Sequence, residues 1–227
     1  MIECSHPYIK KLAPGSGVCL ECGAIVTKQS KVYDTSPLQM PPVIFELTPV
    51  YWEQVRPWPL ISYELAKKYG WYVSMIQGRF YLVMPVLLKK VPVFYSARCL
   101  LAWNSLLGCP KEFKYTTPAG RARKMWSSGG RGKYKLYGEG IADAAYLSQL
   151  APSRALLGSS WSVLDYAILV LDGDAKGIEA AFKIVQDARK RGMVNVKTVL
   201  LPPGKDPTDV PIEKLRKLIK EQTGVEL

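Results

Sequence analysis

The fold is decided by the stretch Ala167-Ile168-Leu169-Val170-Leu171-Asp172-Gly173-Asp174-Ala175-Lys176-Gly177. Its first five residues form a continuous apolar run, which is typical of a parallel strand that is buried on both faces. Two aspartates follow on either side of Gly173, whose lack of a Cβ permits a tight turn. From Ala175 to Arg191 apolar residues recur at helical spacing, and Gly192 provides a helix stop. The stretch therefore predicts a strand, an acidic turn and a helix in succession.

Strands and helices alternate on both sides of this stretch. The predicted strands lie at 135–139, 154–158 and 194–201, and the predicted helices at 141–150 and 211–222. Alternation of this kind implies βαβ crossovers and a mainly parallel sheet. We therefore expect an α/β domain over residues 133–227.

The region before it, residues 46–132, has a mixed pattern. A short helix is predicted at 63–69, and strands rich in aromatic and β-branched residues are predicted at 71–76, 79–84 and 91–95. A segment rich in glycine and serine, residues 127–132, marks the end of this region. An α+β subdomain is therefore expected ahead of the parallel sheet, and the chain is assigned to the α/β class.

Acidic residues stand where three of the predicted parallel strands end. The carboxyl ends of parallel strands meet at one edge of a sheet, so these side chains should converge there. The residues are Glu139, Asp143, Asp172, Asp174, Asp206 and Asp209. Converging carboxylates repel each other unless a divalent cation holds them, and Mg²⁺ prefers oxygen ligands while keeping positions for water and triphosphate oxygens. The pattern therefore predicts metal-assisted phosphoryl or nucleotidyl transfer.

A strip of basic residues precedes this acidic region. The chain has 31 Lys+Arg residues against 19 Asp+Glu residues, a formal net charge of +12, which favours a polyanionic partner. Between positions 111 and 135 there is one acidic residue, Glu112, and the basic residues are Lys111, Lys114, Arg121, Arg123, Lys124, Arg131, Lys133 and Lys135. A basic strip beside an acidic cluster favours a metal-dependent nucleic-acid enzyme, and a solvated charged loop is the alternative.

The first 30 residues are rich in cysteine and turn residues and cannot build an apolar core alone. They hold four candidate zinc ligands, Cys4, His6, Cys19 and Cys22, and His6 is the only histidine of the chain. Four soft or borderline ligands suffice for a closed, structural zinc site. Residues 1–30 are therefore predicted to be a small zinc-ribbon-like binding module, and the proline-containing residues 31–45 are predicted to be a linker.

The cysteine count and the hydropathy pattern are those of an ordinary intracellular protein. The chain has five cysteines, an odd number, and three of them belong to the candidate zinc set, so no disulfide framework is expected. Cys99 and Cys109 stand in apolar surroundings and are predicted to be plain core residues. No stretch approaches 18 uncharged apolar residues and the amino terminus lacks signal-peptide character, which predicts a cytoplasmic protein without a membrane partner.

Several motifs resemble the Toprim domain of bacterial and phage replicative primases. Glu139-Gly140 is similar to the Toprim Glu-Gly motif, and Asp172-Gly173-Asp174 is similar to its Asp-x-Asp motif. The segment 201–207, Leu-Pro-Pro-Gly-Lys-Asp-Pro, resembles the primase Leu-Pro-x-Gly-x-Asp-Pro segment. Residues 114–118, Lys-Tyr-Thr-Thr-Pro, resemble a basic element that precedes the Toprim part of primases. The cysteines and histidine of residues 1–30 extend the resemblance to the primase zinc module.

The resemblance implies a DNA primase, which joins ribonucleoside triphosphates into short RNA primers on a single-stranded DNA template during replication. It implies that Glu139, Asp172 and Asp174 are catalytic and bind Mg²⁺ or Mn²⁺, that Asp143 and Asp206 support them, and that Zn²⁺ is structural. Together with the basic strip, it gives the expected template and nucleotide contacts as Arg98, Lys114, Tyr115, Arg121, Arg123, Lys124, Arg131 and Lys133. Many relatives carry a second acidic residue where this chain has Thr208, which leaves the role of Asp209 open.

Other functions remain open from the sequence. A non-catalytic recombination mediator can combine zinc and Toprim modules, but its helix-hairpin-helix element would have no room ahead of Cys4. A Toprim nuclease would not need a zinc module beside a basic strip, and a topoisomerase needs a strand-passage domain. No helicase follows the last predicted helix, so we expect a separate replicative helicase partner or a longer parent protein. So compact a chain would suit a phage or a mobile element.

Overall fold

The computed structural model describes residues 38–104, 106, 108–119, 125–158 and 163–227, together with the backbone of three strands nearer the amino terminus. The chain divides into two compact units, one of residues 1–36 and 120–122 and the other of residues 37–119 and 123–227. The smaller unit contains an antiparallel sheet of three strands, β1 (Ile9–Ala13), β2 (Ser16–Cys19) and β3 (Ile25–Thr27), in that order.

The first sheet of the larger unit is antiparallel. Its strands, in spatial order, are β4 (Phe45–Glu46), β5 (Tyr72–Ile76), β6 (Arg79–Leu88), β7 (Val91–Cys99) and β8 (Tyr115–Thr116). Helices α1 (Pro49–Val55) and α2 (Tyr63–Lys68) connect β4 to β5, and the hydroxyls of Thr48 and Ser62 cap their first turns. Strands β6 and β7 extend further than the sequence predicts, because they pair along almost their whole length.

The second sheet is mainly parallel, as the alternating pattern predicts. Its strands are β9 (Trp126–Ser127), β10 (Lys135–Gly138), β11 (Ser153–Ala155), β12 (Ala167–Val170) and β13 (Val196–Val199), and their spatial order is β13-β12-β10-β11-β9. Only β9 runs antiparallel to its neighbour. The helices are α3 (Ile141–Leu147), α4 (Ala175–Lys190) and α5 (Ile212–Thr223). The mixed α/β fold class is confirmed.

Both faces of the parallel sheet are buried, as the apolar run in β12 predicts. Ile168 and Val170 belong to a core that also contains Val73 and Leu82 of the antiparallel sheet, whereas Leu169 packs on the opposite face with the apolar side of α4. One continuous core therefore joins the two sheets of the larger unit. No helix within the described ranges is long and apolar enough to cross a membrane.

The prediction that Cys99 and Cys109 are plain core residues, with no disulfide expected, is wrong. Cys99, at the end of β7, is bonded to Cys109, and their Cα atoms lie 5.9 Å apart. The chain returns after β7 so that β8 can pair with it, and this return brings Cys109 next to Cys99. The predicted burial of Cys99 is correct, but its partner could not be identified from apolar surroundings alone.

Candidate active site

A cavity of about 510 Å³ lies at the carboxyl edge of the parallel sheet. It is lined by acidic residues of the second sheet and by basic and aromatic residues of the first. The acidic residues are Glu139, Asp143, Asp172, Asp206 and Asp209, and facing them are Trp58, Arg98, Lys114 and Tyr115. The convergence expected from the ends of parallel strands is therefore present.

Neighbouring strands bring the first two carboxylates together. Glu139 directly follows β10, Asp172 follows β12 by two positions, and β10 pairs with β12. The backbone N–H of Asp172 lies close enough to the Glu139 carboxylate to oppose the rise in its pKa. The two acidic groups are thus linked through the turn that the sequence places after β12.

The turn containing Gly173 also holds the third acidic segment in place. The Gly173 N–H donates to the Lys205 carbonyl at 2.7 Å, and the Gly204 N–H donates to the Gly173 carbonyl at 3.0 Å. A Cβ at position 173 would overlap the carbonyl oxygen of Pro202. Glycine is therefore required for this close approach, which places Asp206 beside Asp172.

Hydrogen bonds orient the other acidic side chains. Asp143 lies in the first turn of α3 and accepts from the Gly140 N–H at 2.8 Å. Asp206 accepts from the N–H and the hydroxyl of the buried Thr208, at 2.8 and 2.5 Å. Asp209 accepts from the Asp206 N–H at 3.3 Å. Thr208, which replaces an acidic residue of the primase pattern, thus positions Asp206.

Asp174 stands at the start of α4. Its Oδ1 atom caps α4 by accepting from the Gly177 N–H at 2.7 Å, and the residue does not line the cavity. Its charge still raises the pKa values of Glu139 and Asp172. Asp174 therefore acts on the site at least through its charge and through the start of α4.

The cavity concentrates negative charge that water does not fully screen. Burial raises the pKa of Glu139, and burial together with the charges of Glu139, Asp206, Asp174 and Asp209 raises the pKa of Asp172 to about 7. Burial also holds the pKa of Asp143 well above its ordinary value. Within the described ranges, none of these carboxylates forms an ion pair with lysine or arginine. A divalent cation would relieve this repulsion.

The donor chemistry of the cavity fits a hard cation. Among the described residues, no set of three or more histidine, cysteine, aspartate or glutamate side chains forms a complete metal-binding group. Mg²⁺, however, is commonly bound through one or two carboxylates, with waters and substrate phosphates completing the octahedron. Glu139 and Asp172 supply such oxygen ligands next to a cavity large enough for phosphate groups.

The opposite wall carries a stacked arginine. The Arg98 guanidinium carbon lies 5.0 Å from the centre of the Trp58 ring and 5.2 Å from that of Tyr115, and Nη1 donates to the Tyr115 hydroxyl. Burial raises the pKa of Tyr115, although the Arg98 charge opposes this. Aromatic rings thus hold a planar cation opposite the carboxylates, where it can contact phosphate oxygens.

Two residues of this site were not found from the sequence. Trp58 is buried and stands between Pro57 and Pro59, outside any predicted helix or strand. A tryptophan flanked by two prolines was the feature of the sequence that could have indicated a site residue. Thr208 appeared only as a departure from the primase pattern. The contribution of Asp209 to the cavity lining was left open.

Several predicted site residues lie elsewhere or outside the described residues. Arg131 and Lys133 line a different cavity, at the opposite edge of the parallel sheet. The residues outside the described part are Cys4, His6, Cys22, Arg121, Arg123 and Lys124, and only the backbone of Cys19 is described. The basic strip of the sequence is therefore not one continuous surface lining the acidic cavity.

Comparisons with known proteins agree with this architecture. Residues 153–210 match a family model described as Toprim-like, which spans Asp172, Asp174, Asp206 and Asp209 but not Glu139. No curated protein sequence matches the chain. The similarity to the Toprim-like family is confined to this segment.

Solved structures with a similar fold include two primase pieces. The primase fragment of the bacteriophage T7 primase-helicase protein is 17% identical with a TM-score of 0.51, over 92% of this chain and 90% of that chain. The RNA polymerase domain of the Mycobacterium tuberculosis primase DnaG is 16% identical with a TM-score of 0.51, over 78% of this chain and 75% of that chain. At sequence identities this low, the similarity shows a shared fold and not a shared activity.

Proposed function

We propose that the chain is a DNA primase that joins ribonucleoside triphosphates into short RNA primers on single-stranded DNA. The observation that carries this proposal is the acidic cavity, in which carboxylates at strand ends face Arg98 and Lys114. The Toprim-like segment and the fold shared with primase fragments support it. A binding protein would have no need to gather so many carboxylates in one cavity, because their repulsion costs stability.

The residues of the cavity divide into two roles. Glu139, Asp172 and Asp174 would hold Mg²⁺ or Mn²⁺, and Asp143 and Asp206 would keep the site acidic and correctly shaped. When bound, the cation would activate the attacking 3′-hydroxyl and neutralise the charge that develops on the leaving pyrophosphate. The side chains facing it, Arg98, Lys114 and Tyr115, would contact nucleotide phosphates or the template backbone. No side-chain nucleophile is then required.

Residues 1–30 would form a structural zinc module that binds template, with Cys4, His6, Cys19 and Cys22 as ligands. Four such ligands support this proposal. Of the predicted linker, residues 31–45, those from 37 onward belong to the larger unit, and Phe45 begins β4. We expect one zinc ion per purified chain, measured by atomic emission, and its loss in Cys19→Ser and Cys22→Ser variants. Retention of zinc by both variants would refute this ligand set.

We also propose that a separate helicase recruits the chain to DNA, since the bacteriophage T7 fragment with a similar fold comes from a primase-helicase protein.

De novo synthesis tests the proposed activity. The full chain is incubated with mixed-sequence single-stranded DNA, labelled ribonucleotides and Mg²⁺ without a primer. Short RNA products should appear, and Asp172→Asn should reduce them by roughly 10²–10³-fold, because it removes a charge used in the transition state. The matched control is Asp187→Asn on the exposed face of α4, which should retain full synthesis.

The other outcomes of this assay discriminate among functions. Full synthesis by Asp172→Asn would refute the assignment of the site. Metal-dependent cleavage of the DNA would favour a Toprim nuclease. Tight DNA binding that needs no metal, without product, would favour a non-catalytic mediator.

A further inference from the structure

A second cavity, of about 540 Å³, opens at the amino edge of the parallel sheet. Its walls come from the segment before β10, from the segment before β11, from β13 and from the residues after α5. The acidic cavity lies where the same strands end. Because β10 spans four residues, the two edges are roughly 13 Å apart at 3.3 Å per residue.

Positive charge dominates the lining of this cavity. Arg131, Lys133 and Lys197 contribute to it, whereas the acidic residue of the lining is Glu226. The Glu226 carboxylate is already paired with Lys220 at 2.9 Å. Arg131 and Lys133 are exposed, and neither forms an ion pair with another described residue. Two cations are therefore available to an anionic ligand.

Aromatic rings hold the lysines at this edge. Lys133 Nζ lies 5.1 Å from the centre of the Tyr166 ring and 5.9 Å from that of Tyr134. Lys197 Nζ lies 6.0 Å from the Tyr134 ring and donates to the Thr223 carbonyl. The two rings are in edge contact, with centres 5.5 Å apart. Such contacts position a lysine without neutralising its charge.

Two backbone positions near this cavity, Tyr166 and Gly132, have unusual geometry or close packing. Tyr166 has a φ of +59°, which is uncommon for an aromatic residue. The Asp165 side chain beside it accepts hydrogen bonds from the N–H and Nδ2 of Asn195, at 2.9 and 3.1 Å, and so ties this segment to the start of β13. A Cβ at position 132 would stand 3.0 Å from the Cδ atom of Pro152, so Gly132 lets the segment carrying Arg131 and Lys133 pack closely.

We propose that this cavity binds backbone phosphates of single-stranded nucleic acid, as a second contact remote from the acidic cavity. The ligand is a strand because its backbone repeats the phosphate group, so that one strand can contact both cavities along a surface path longer than the roughly 13 Å of the buried β10. A single nucleotide would not connect the two edges. The proposal deepens the proposed function, since it assigns a second site for the template.

The test measures binding of labelled 20-nucleotide oligo(dT) to the full chain by fluorescence anisotropy, between 50 and 200 mM salt. Arg131→Ala/Lys133→Ala removes the two available cations. Lys214→Ala/Lys217→Ala removes two charges from the exposed face of α5 and is the matched control. We expect the first variant to bind about tenfold more weakly, with a salt slope smaller by about 1.4, because each phosphate contact contributes roughly 0.7 on single strands. The control should bind as the unmodified chain does.

Equal affinities of the two double variants would overturn the proposal. It would also be overturned if oligoglutamate bound to the chain and lost affinity in Arg131→Ala/Lys133→Ala while DNA binding stayed unchanged, because the cavity would then accept an acidic protein segment. Primer synthesis by the unmodified chain is a separate measurement. Its absence would refute the proposed function, whereas the binding comparison alone decides the second contact.

Discussion

Carboxylates in the acidic cavity are partly buried and close to one another, so their charged forms are unfavourable in the folded chain. Asp172 is the clearest case, since its pKa is raised to about 7 by burial and by Glu139 and the neighbouring aspartates. A raised pKa in the folded state means that the contribution of this group to stability is complete below about pH 4 and is lost as the pH rises through about 7. A cluster of carboxylates that binds a cation is expected to lower the stability of the folded chain when the cation is absent.

We predict that Asp172→Asn stabilises the metal-free chain at pH 8 and flattens the pH dependence of its melting temperature between pH 5 and 8. The expected gain is roughly 2–4 °C, corresponding to about 1 kcal/mol after solvent screening. Thermal melting in EDTA measures it, with Asp187→Asn as the control. Adding Mg²⁺ at pH 8 should stabilise the unmodified chain and not the variant. Identical melting curves for Asp172→Asn and the unmodified chain would contradict the prediction.

Arg98 offers a second prediction for a single residue. Arg98→Lys keeps the positive charge but loses the planar group that stacks between Trp58 and Tyr115. We expect the KM for ribonucleotides to rise about tenfold, with a smaller change in kcat, because one bidentate phosphate contact is lost. The control is Arg79→Lys, which alters an arginine stacked on Phe113 at 4.2 Å. Equal KM values for the two variants would argue against a nucleotide contact at Arg98.

At the scale of elements, the turns after β12 and β13 act together. Gly173→Ala places a Cβ against the Pro202 carbonyl, whereas Gly204→Ala meets no atom within 4 Å and only strains a φ of +69°. We expect Gly204→Ala to cost about 1 kcal/mol. Gly173→Ala should cost more and should also reduce synthesis, because it separates Asp172 from Asp206. Urea unfolding and primer synthesis measure the two effects. Equal effects of the two substitutions would mean that the backbone contact is unimportant.

The disulfide between β7 and the segment before β8 is a second element that can be tested. Cys99→Ser/Cys109→Ser should lower the free energy of unfolding by about 2–3 kcal/mol, because the unfolded chain regains the freedom of a ten-residue loop. Reducing agent should destabilise the unmodified chain by the same amount and leave the variant unchanged. Denaturant unfolding with and without reductant measures this. Insensitivity of the unmodified chain to reductant would show that the bond does not form in solution.

At the scale of the whole molecule, one core links the two sheets of the larger unit. We predict that residues 37–227 unfold in one transition, so that Leu82→Ala and Ile168→Ala, in different sheets, each shift it by about 2–5 kcal/mol without splitting it. All six tryptophans lie at positions 52–161, and every described helix lies at positions 49–223. Tryptophan fluorescence and far-ultraviolet circular dichroism should therefore give the same midpoint. Two separate midpoints would indicate that the sheets unfold independently.

Local patterns were sufficient to predict the parallel sheet and its acidic edge. The apolar run before Asp172 and the helical period after Ala175 depend on neighbours a few positions apart, and the strand β12 and the helix α4 follow them closely. Because parallel strands end at one edge, the approach of Glu139, Asp172 and Asp206 followed from the fold class. The short strands β4, β8 and β9 were not predicted, since two residues carry no periodicity.

Contacts between distant segments were beyond the reach of these patterns. Three features illustrate this: Trp58 stacks on Arg98, Cys99 is bonded to Cys109, and Arg131 lies at the far edge of the sheet. In each case the distance between residues in the folded chain does not follow from their spacing in the sequence. Side-chain type and spacing specify which chemistry is available and on which kind of element it lies. Which groups meet is set by the packing of two sheets on one core, and that packing depends on all the buried side chains at once.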